Sequence, residues 1–102
     1  IIVQPDYHGR GIGAASVKAL EVQVLSQGAI TLWLGTDDET NRSSLGNKNL
    51  YPDVLAQLST IRNIHRHPYE FFQKAGFSIV GVIPDANGPG KPDILMAKRV
   101  GQ

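Results

Sequence analysis

Apolar residues along the chain fall into two rhythms, short continuous runs and repeats at three and four positions. Ile1 to Val3 is a branched run closed by Gln4-Pro5-Asp6, where proline removes a backbone donor and ends a strand. Beyond the turn His8-Gly9-Arg10-Gly11-Ile12-Gly13, the residues Ala14, Val17, Leu20, Val24 and Leu25 recur at helical spacing. They predict an amphipathic helix that stops near Gly28 with a glycine cap. Ala29 to Gly35 (Ala-Ile-Thr-Leu-Trp-Leu-Gly) is rich in branched and aromatic residues and predicts a buried strand, whose end delivers Thr36-Asp37-Asp38-Glu39.

From Thr40 to Asn49 the chain turns to Asn, Ser, Gly, Arg and Lys, the composition of a solvated loop. Val54, Leu55, Leu58 and Ile61 predict a helix over Leu50 to Ile64 with Pro52 in its first turn, and Phe71 and Phe72 an inward face for a shorter helix from His67-Pro68 to Ala75, closed by Gly76. Phe77 to Ile83 and Ile94 to Val100 read as strands around a connector restrained by Pro84, Pro89 and Pro92. The order strand, helix, strand, helix, helix, strand, strand predicts an α/β domain on a mixed sheet.

Composition narrows the function. With 41% hydrophobic and 19% charged residues the chain is globular in character, and a formal net charge of +1 gives no electrostatic case for nucleic acid. Without cysteine there is neither a disulfide nor a thiolate site. No apolar run approaches the roughly 20 residues needed to cross a bilayer, so the expected location is the cytoplasm. The chain opens on Ile1-Ile2-Val3 as though inside a buried strand, and the expectation is a fragment of a larger domain.

A glycine-rich turn feeding a helix N-terminus gathers unpaired N–H groups and the positive end of the helix dipole, which suits a pyrophosphate. Gly9, Gly11 and Gly13 would let the backbone approach phosphate oxygens, although a plain tight turn uses glycine in the same way. Gly9-x-Gly11-x-x-Ala14 also fits the relaxed dinucleotide fingerprint, with Asp37 ending the next strand. In that fold the first glycine directly follows the strand, whereas here five residues including Pro5 separate Val3 from Gly9. A P-loop is excluded because no Gly-Lys-Ser/Thr follows.

The run Val3-x-Pro5-x-Tyr7-x-Gly9-Arg10-Gly11-Ile12-Gly13 resembles the signature of the GCN5-related N-acetyltransferase (GNAT) family, with His8 where Gln or Arg usually stands. Pro68-Tyr-Glu-Phe-Phe-Gln-Lys-Ala-Gly-Phe77 resembles the family's second motif. His67 to Phe72, Val82 to Gly88 and Lys91 to Arg99 are similar to the subgroup called aminoglycoside 6′-N-acetyltransferase. The resemblance spans nearly the whole chain. It implies a GNAT-like mixed sheet with flanking helices, residues 1–102 being the C-terminal acetyl-CoA-binding portion and the N-terminal strands and helices missing. It also implies acetyl-CoA as co-substrate, held by Ile2, Val3, His8, Gly9, Arg10, Gly11, Ile12, Gly13, Ala14 and Phe72.

The implied reaction is direct attack of a primary amine on the thioester in a ternary complex. The family's usual proton donor is a tyrosine at the position of Phe72, which has no hydroxyl. Tyr69, one turn earlier on the same helix side, is the candidate substitute, or else a packing residue. Asp37 is the candidate base, and Asp37, Asp38 and Glu39 together would attract a cationic amine, while either aspartate could instead cap the following turn. His65 and His67 are further candidate bases, or else, with Arg66 between them, surface residues or residues leading into the helix, and no third ligand supports a metal between them. Two alternatives stand beside the acetyltransferase: a non-catalytic CoA-binding module and, against the spacing, a dinucleotide-binding fragment. The expected partners are a small-molecule amine and, through an open strand edge, a second copy of the chain.

Overall fold

A computed structural model of the chain describes residues 2–3, 14–38 and 41–101. In chain order they form β1 (Ile2–Val3), α1 (Ala14–Ser26), β2 (Thr31–Asp37), α2 (Val54–Ser59), α3 (Tyr69–Lys74), β3 (Ser78–Ile83) and β4 (Asp93–Arg99). The strands make one sheet in the order β1-β2-β4-β3. β1 runs parallel to β2, and β4 lies antiparallel to both β2 and β3, so the sheet is mixed as the pattern predicts.

Alternation along β2 divides the sheet's two faces. Leu32, Leu34 and Thr36 are buried, while Thr31, Trp33, Gly35 and Asp37 between them are half-buried. Leu32 and Leu34 join Ile94 and Met96 of β4, Val17 and Val24 of α1 and Tyr69 and Phe72 of α3 in a single core. Phe72 sits edge-on to both Phe71 and Phe77, with ring centroids 5.2 and 5.8 Å apart. Lys98, on the same side of β4, ties two helices together: its Nζ donates to the Ala75 carbonyl at 2.8 Å and pairs with Glu21 of α1 at 2.5 Å.

The chain leaves α1 and α3 in the same way. After α1 the Gly28 N–H donates to Leu25 O and the Ala29 N–H to Val24 O, with Gly28 at φ 82°. After α3 the Gly76 N–H donates to Gln73 O and the Phe77 N–H to Phe72 O, with Gly76 at φ 98°. These paired bonds need a left-handed residue at the glycine position, and they turn the chain directly into the next strand.

Three expectations change. The helix over Leu50 to Ile64 is only Val54–Ser59: Pro52 precedes it, and Ser59 and Thr60 turn their hydroxyls back onto the Ala56 carbonyl at its end. Leu55, counted in its apolar pattern, is 75% exposed. The stretch read as a solvated loop is irregular but anchored, because Ser43, Leu45 and Leu50 are buried and Ser43 bridges Asn63. β2 runs Thr31–Asp37 rather than Ala29 to Gly35, since the glycine-capped turn uses Ala29.

Candidate functional site

Asp37 closes β2, and its cross-strand partner in the register is Asp93 at the start of β4. Residues opposite one another in an antiparallel pair project to the same face, so two carboxylates share one end of the sheet. Gly35 lies beside them, and a Cβ there would come within 2.5 Å of Asp93 Oδ2. Nothing local in the sequence joins Asp37 to Asp93 across 56 positions; only the strand register does.

Asp38 takes the other direction. It is 1% exposed, and its carboxylate accepts from the Arg42 N–H at 2.6 Å, the Ser43 N–H at 3.0 Å and Ser43 Oγ at 2.6 Å. Its own N–H donates to Pro92 O at 2.9 Å. Asp38 is therefore the turn cap that an aspartate before a polar loop can be, and its charge is spent inside the protein rather than offered to an amine. Glu39 lies outside the described residues.

Asp37 also receives α3. The Nε2 of His67, 30 residues away, lies 2.9 Å from the Asp37 carbonyl, and the Tyr69 N–H donates to His67 Nδ1 at 3.1 Å. A carbonyl can only accept and an N–H can only donate, so both contacts require the same neutral tautomer, with the proton on Nε2. The His67 backbone is clasped as well: its N–H donates to Asn63 Oδ1 at 2.7 Å and its C=O accepts from Asn63 Nδ2 at 3.0 Å. Burial lowers the pKa of His67, against the opposing pull of Asp38 and the Asp37 carbonyl and with a smaller push from Arg42. With both nitrogens engaged and the side chain 2% exposed, His67 is not placed to take a proton from substrate. His65 is exposed. Among the described residues no group of three or more His, Cys, Asp or Glu is arranged to hold a metal.

Tyr69 opens α3 and is 4% exposed. Burial first, and Glu70 second, raise its pKa, so the hydroxyl keeps its proton throughout the neutral range. Phe72 is in the core. Ile2 and Val3 pair with Thr31 and Leu32 only, so from Trp33 to Thr36 β2 has β4 on one side and no described strand on the other. Ala14 begins α1; His8, Gly9, Arg10, Gly11, Ile12 and Gly13 lie outside the described residues. Asn63, Asp93 and the bridging role of His67 were not evident from the sequence. An Asn four residues before a His-Pro helix start is the only local signal for the first, and it is a weak one.

The family model described as Acetyltransferase (GNAT) family matches residues 1–51. No curated protein matches the chain. Among solved structures, a crystal structure of aminoglycoside 6′-N-acetyltransferase complexed with coenzyme A shares 47% identity at a TM-score of 0.81, over 87% of this chain and 49% of that one. The aminoglycoside 6′-N-acetyltransferase from Enterococcus faecium shares 46% at 0.82, over 86% and 49%. An aminoglycoside 6′-acetyltransferase type Ii shares 41% at 0.54, over 85% and 41%. The chain thus spans about half the length of the solved structures it matches. Among the described residues no helix is long and apolar enough to cross a membrane.

Proposed function

For a chain that belongs to the GNAT acetyltransferase family, we propose transfer of an acetyl group from acetyl-CoA to a primary amine of an aminoglycoside or a similar polycationic small molecule. The observation that carries the proposal is the 47% identity, over 87% of this chain, to an aminoglycoside 6′-N-acetyltransferase structure holding coenzyme A. Residues 1–102 make up the acetyl-CoA-binding portion of a GNAT domain.

Acetyl-CoA supplies the acetyl group as a thioester. Ile2 and Val3, with the β2 edge beyond them, hold the pantetheine amides; His8, Gly9, Arg10, Gly11, Ile12, Gly13 and Ala14 hold the phosphates at the start of α1; and Phe72 backs the thioester end from the core. The Asp37 carboxylate, with Asp93 beside it, draws the cationic amine and accepts its proton, so that a neutral nitrogen attacks the carbonyl carbon. As the tetrahedral centre collapses, the C–S bond breaks, the leaving thiolate takes a proton from the Tyr69 hydroxyl, and the second proton given up by the acylated nitrogen passes through solvent to restore the hydroxyl. No acyl group is carried on the protein. The protein acts in the cytoplasm as a homo-oligomer.

Release of CoA thiol is measured with acetyl-CoA and a panel of aminoglycosides, polyamines and amino-terminal peptides. Thiol release that depends on an aminoglycoside, with the mono-acetylated product seen by mass spectrometry, is the expected result. Acetyl-CoA binding without thiol release from any amine would overturn catalysis in favour of a CoA-binding module.

A further inference from the structure

The carboxyl end of β2 and the first turn of α3 carry the two groups to which the proposed function assigns proton traffic, Asp37 and Tyr69. They belong to different elements and meet through one imidazole. His67 Nε2–H donates to the carbonyl of Asp37, and His67 Nδ1 accepts from the backbone N–H of Tyr69. The ring is itself fixed, since Asn63 clasps both backbone polar groups of His67 and Arg66 before it is held at φ 55°.

Resting on the acetyltransferase function proposed above, we infer that His67 is a positioning residue of the reaction: its Nε2–H tautomer locks Tyr69 to Asp37 and so sets the distance between the proton donor and the amine-side carboxylate. An acetyl transfer in a ternary complex forms no covalent link to the protein, so its rate depends on holding two substrates and two proton-transfer groups in register. A displacement of about 1 Å can cost about a hundredfold in such a geometry. The ring does not touch substrate. It acts through the backbone of the residues that do.

The groups facing the ring are Asp37, Asp38 and Arg42 from the β2 end and its loop, and the Tyr69 ring, whose centroid is 5.4 Å away. A second proton, on Nδ1, would face the Tyr69 N–H and break that bond.

The test uses the purified protein with His67→Gln, His67→Asn, Tyr69→Phe and the double variant His67→Gln/Tyr69→Phe. Gln offers a donor near the Nε2 position but leaves the Tyr69 N–H unmet; Asn offers an acceptor near the Nδ1 position but does not reach the Asp37 carbonyl. Each is expected to lower kcat about tenfold while the KM for acetyl-CoA stays within about twofold, because alignment rather than cofactor binding is disturbed. Losses in the double variant are expected to fall short of the product of the single losses, since His67 acts through Tyr69. Nitrogen-15 spectra of the unaltered protein should show His67 protonated on Nε2 and bare on Nδ1 at pH 7. Unchanged kcat in both His67 variants, multiplicative losses in the double variant, or an Nδ1–H ring would overturn the inference. Unaltered protein that releases no thiol with any amine fails the proposed function instead and removes the kinetic role of His67 with it, while the ring spectrum still decides whether the link exists.

Discussion

His67 shows how much one buried side chain can carry when its partners leave it a single protonation state. Its folded pKa is lowered below the ordinary 6.5, so the fold prefers the neutral ring. In the unfolded chain the ring takes a proton as the pH drops below about 6.5, and the folded ring does not until lower pH. The stabilisation is therefore complete above 6.5 and is lost as the pH falls from there through the lowered folded value. Urea unfolding between pH 8 and pH 5 should show the midpoint falling over that window, and His67→Gln should reduce the fall. An equal pH slope in both proteins would show that other groups govern it. The sequence offers His67 as a base, a surface residue or a helix-leading residue, and only the last survives its burial. Asp38 had two readings too, and its three accepted hydrogen bonds settle it as a cap.

The glycine exits set the elements apart from their neighbours. Gly76 at φ 98° closes α3 and lets Phe77 enter the core one residue later. Gly76→Ala forces a Cβ into the left-handed region, at a cost of about 1–2 kcal/mol. The added atom would also lie 3.0 Å from Lys98 Cε and Nζ, which the bonds to Ala75 and Glu21 hold in place, so crowding adds to the backbone strain. The denaturation midpoint should drop with an unchanged m-value; an unchanged midpoint would mean the turn relaxes. At this scale the sequence was most legible, since both glycine caps and the seven elements follow from spacing and composition. Borders were less so: Ala29 looks like strand but belongs to the turn, and the helix around Val54 is shorter than its apolar pattern. The rest was hidden because Asp93 reaches Asp37, and His67 reaches Asp37, only through tertiary register.

Across the whole molecule, the segment following β2 and the connector before β4 are joined at one end of the sheet. Asp38 holds both, through its carboxylate to residues 42 and 43 and its N–H to Pro92, and Asn47 N–H adds a bond to Gly90 O at 2.7 Å. Asp38→Asn keeps the shape but replaces one acceptor oxygen with an NH₂ group facing donors. A loss of about 2–3 kcal/mol is expected from guanidinium unfolding, as for hydrogen bonds to a buried charge. A loss below about 0.5 kcal/mol would show that the loop is held by Leu45 and Leu50 alone.

The order of the sheet also bears on how the chain comes into being during synthesis. β4 is the strand to which both β2 and β3 bind, yet it comes last in the sequence, far beyond β2. Until residues 93–99 have left the ribosome, β3 has no described neighbour and β2 has only the two-residue pairing with β1. α1 and α3 can form locally, but their apolar faces have no sheet to cover. The β2 part of the core, Leu32 and Leu34, therefore waits on pairings about 60 residues distant, a topology that folds slowly and leaves the nascent chain dependent on protection from its neighbours.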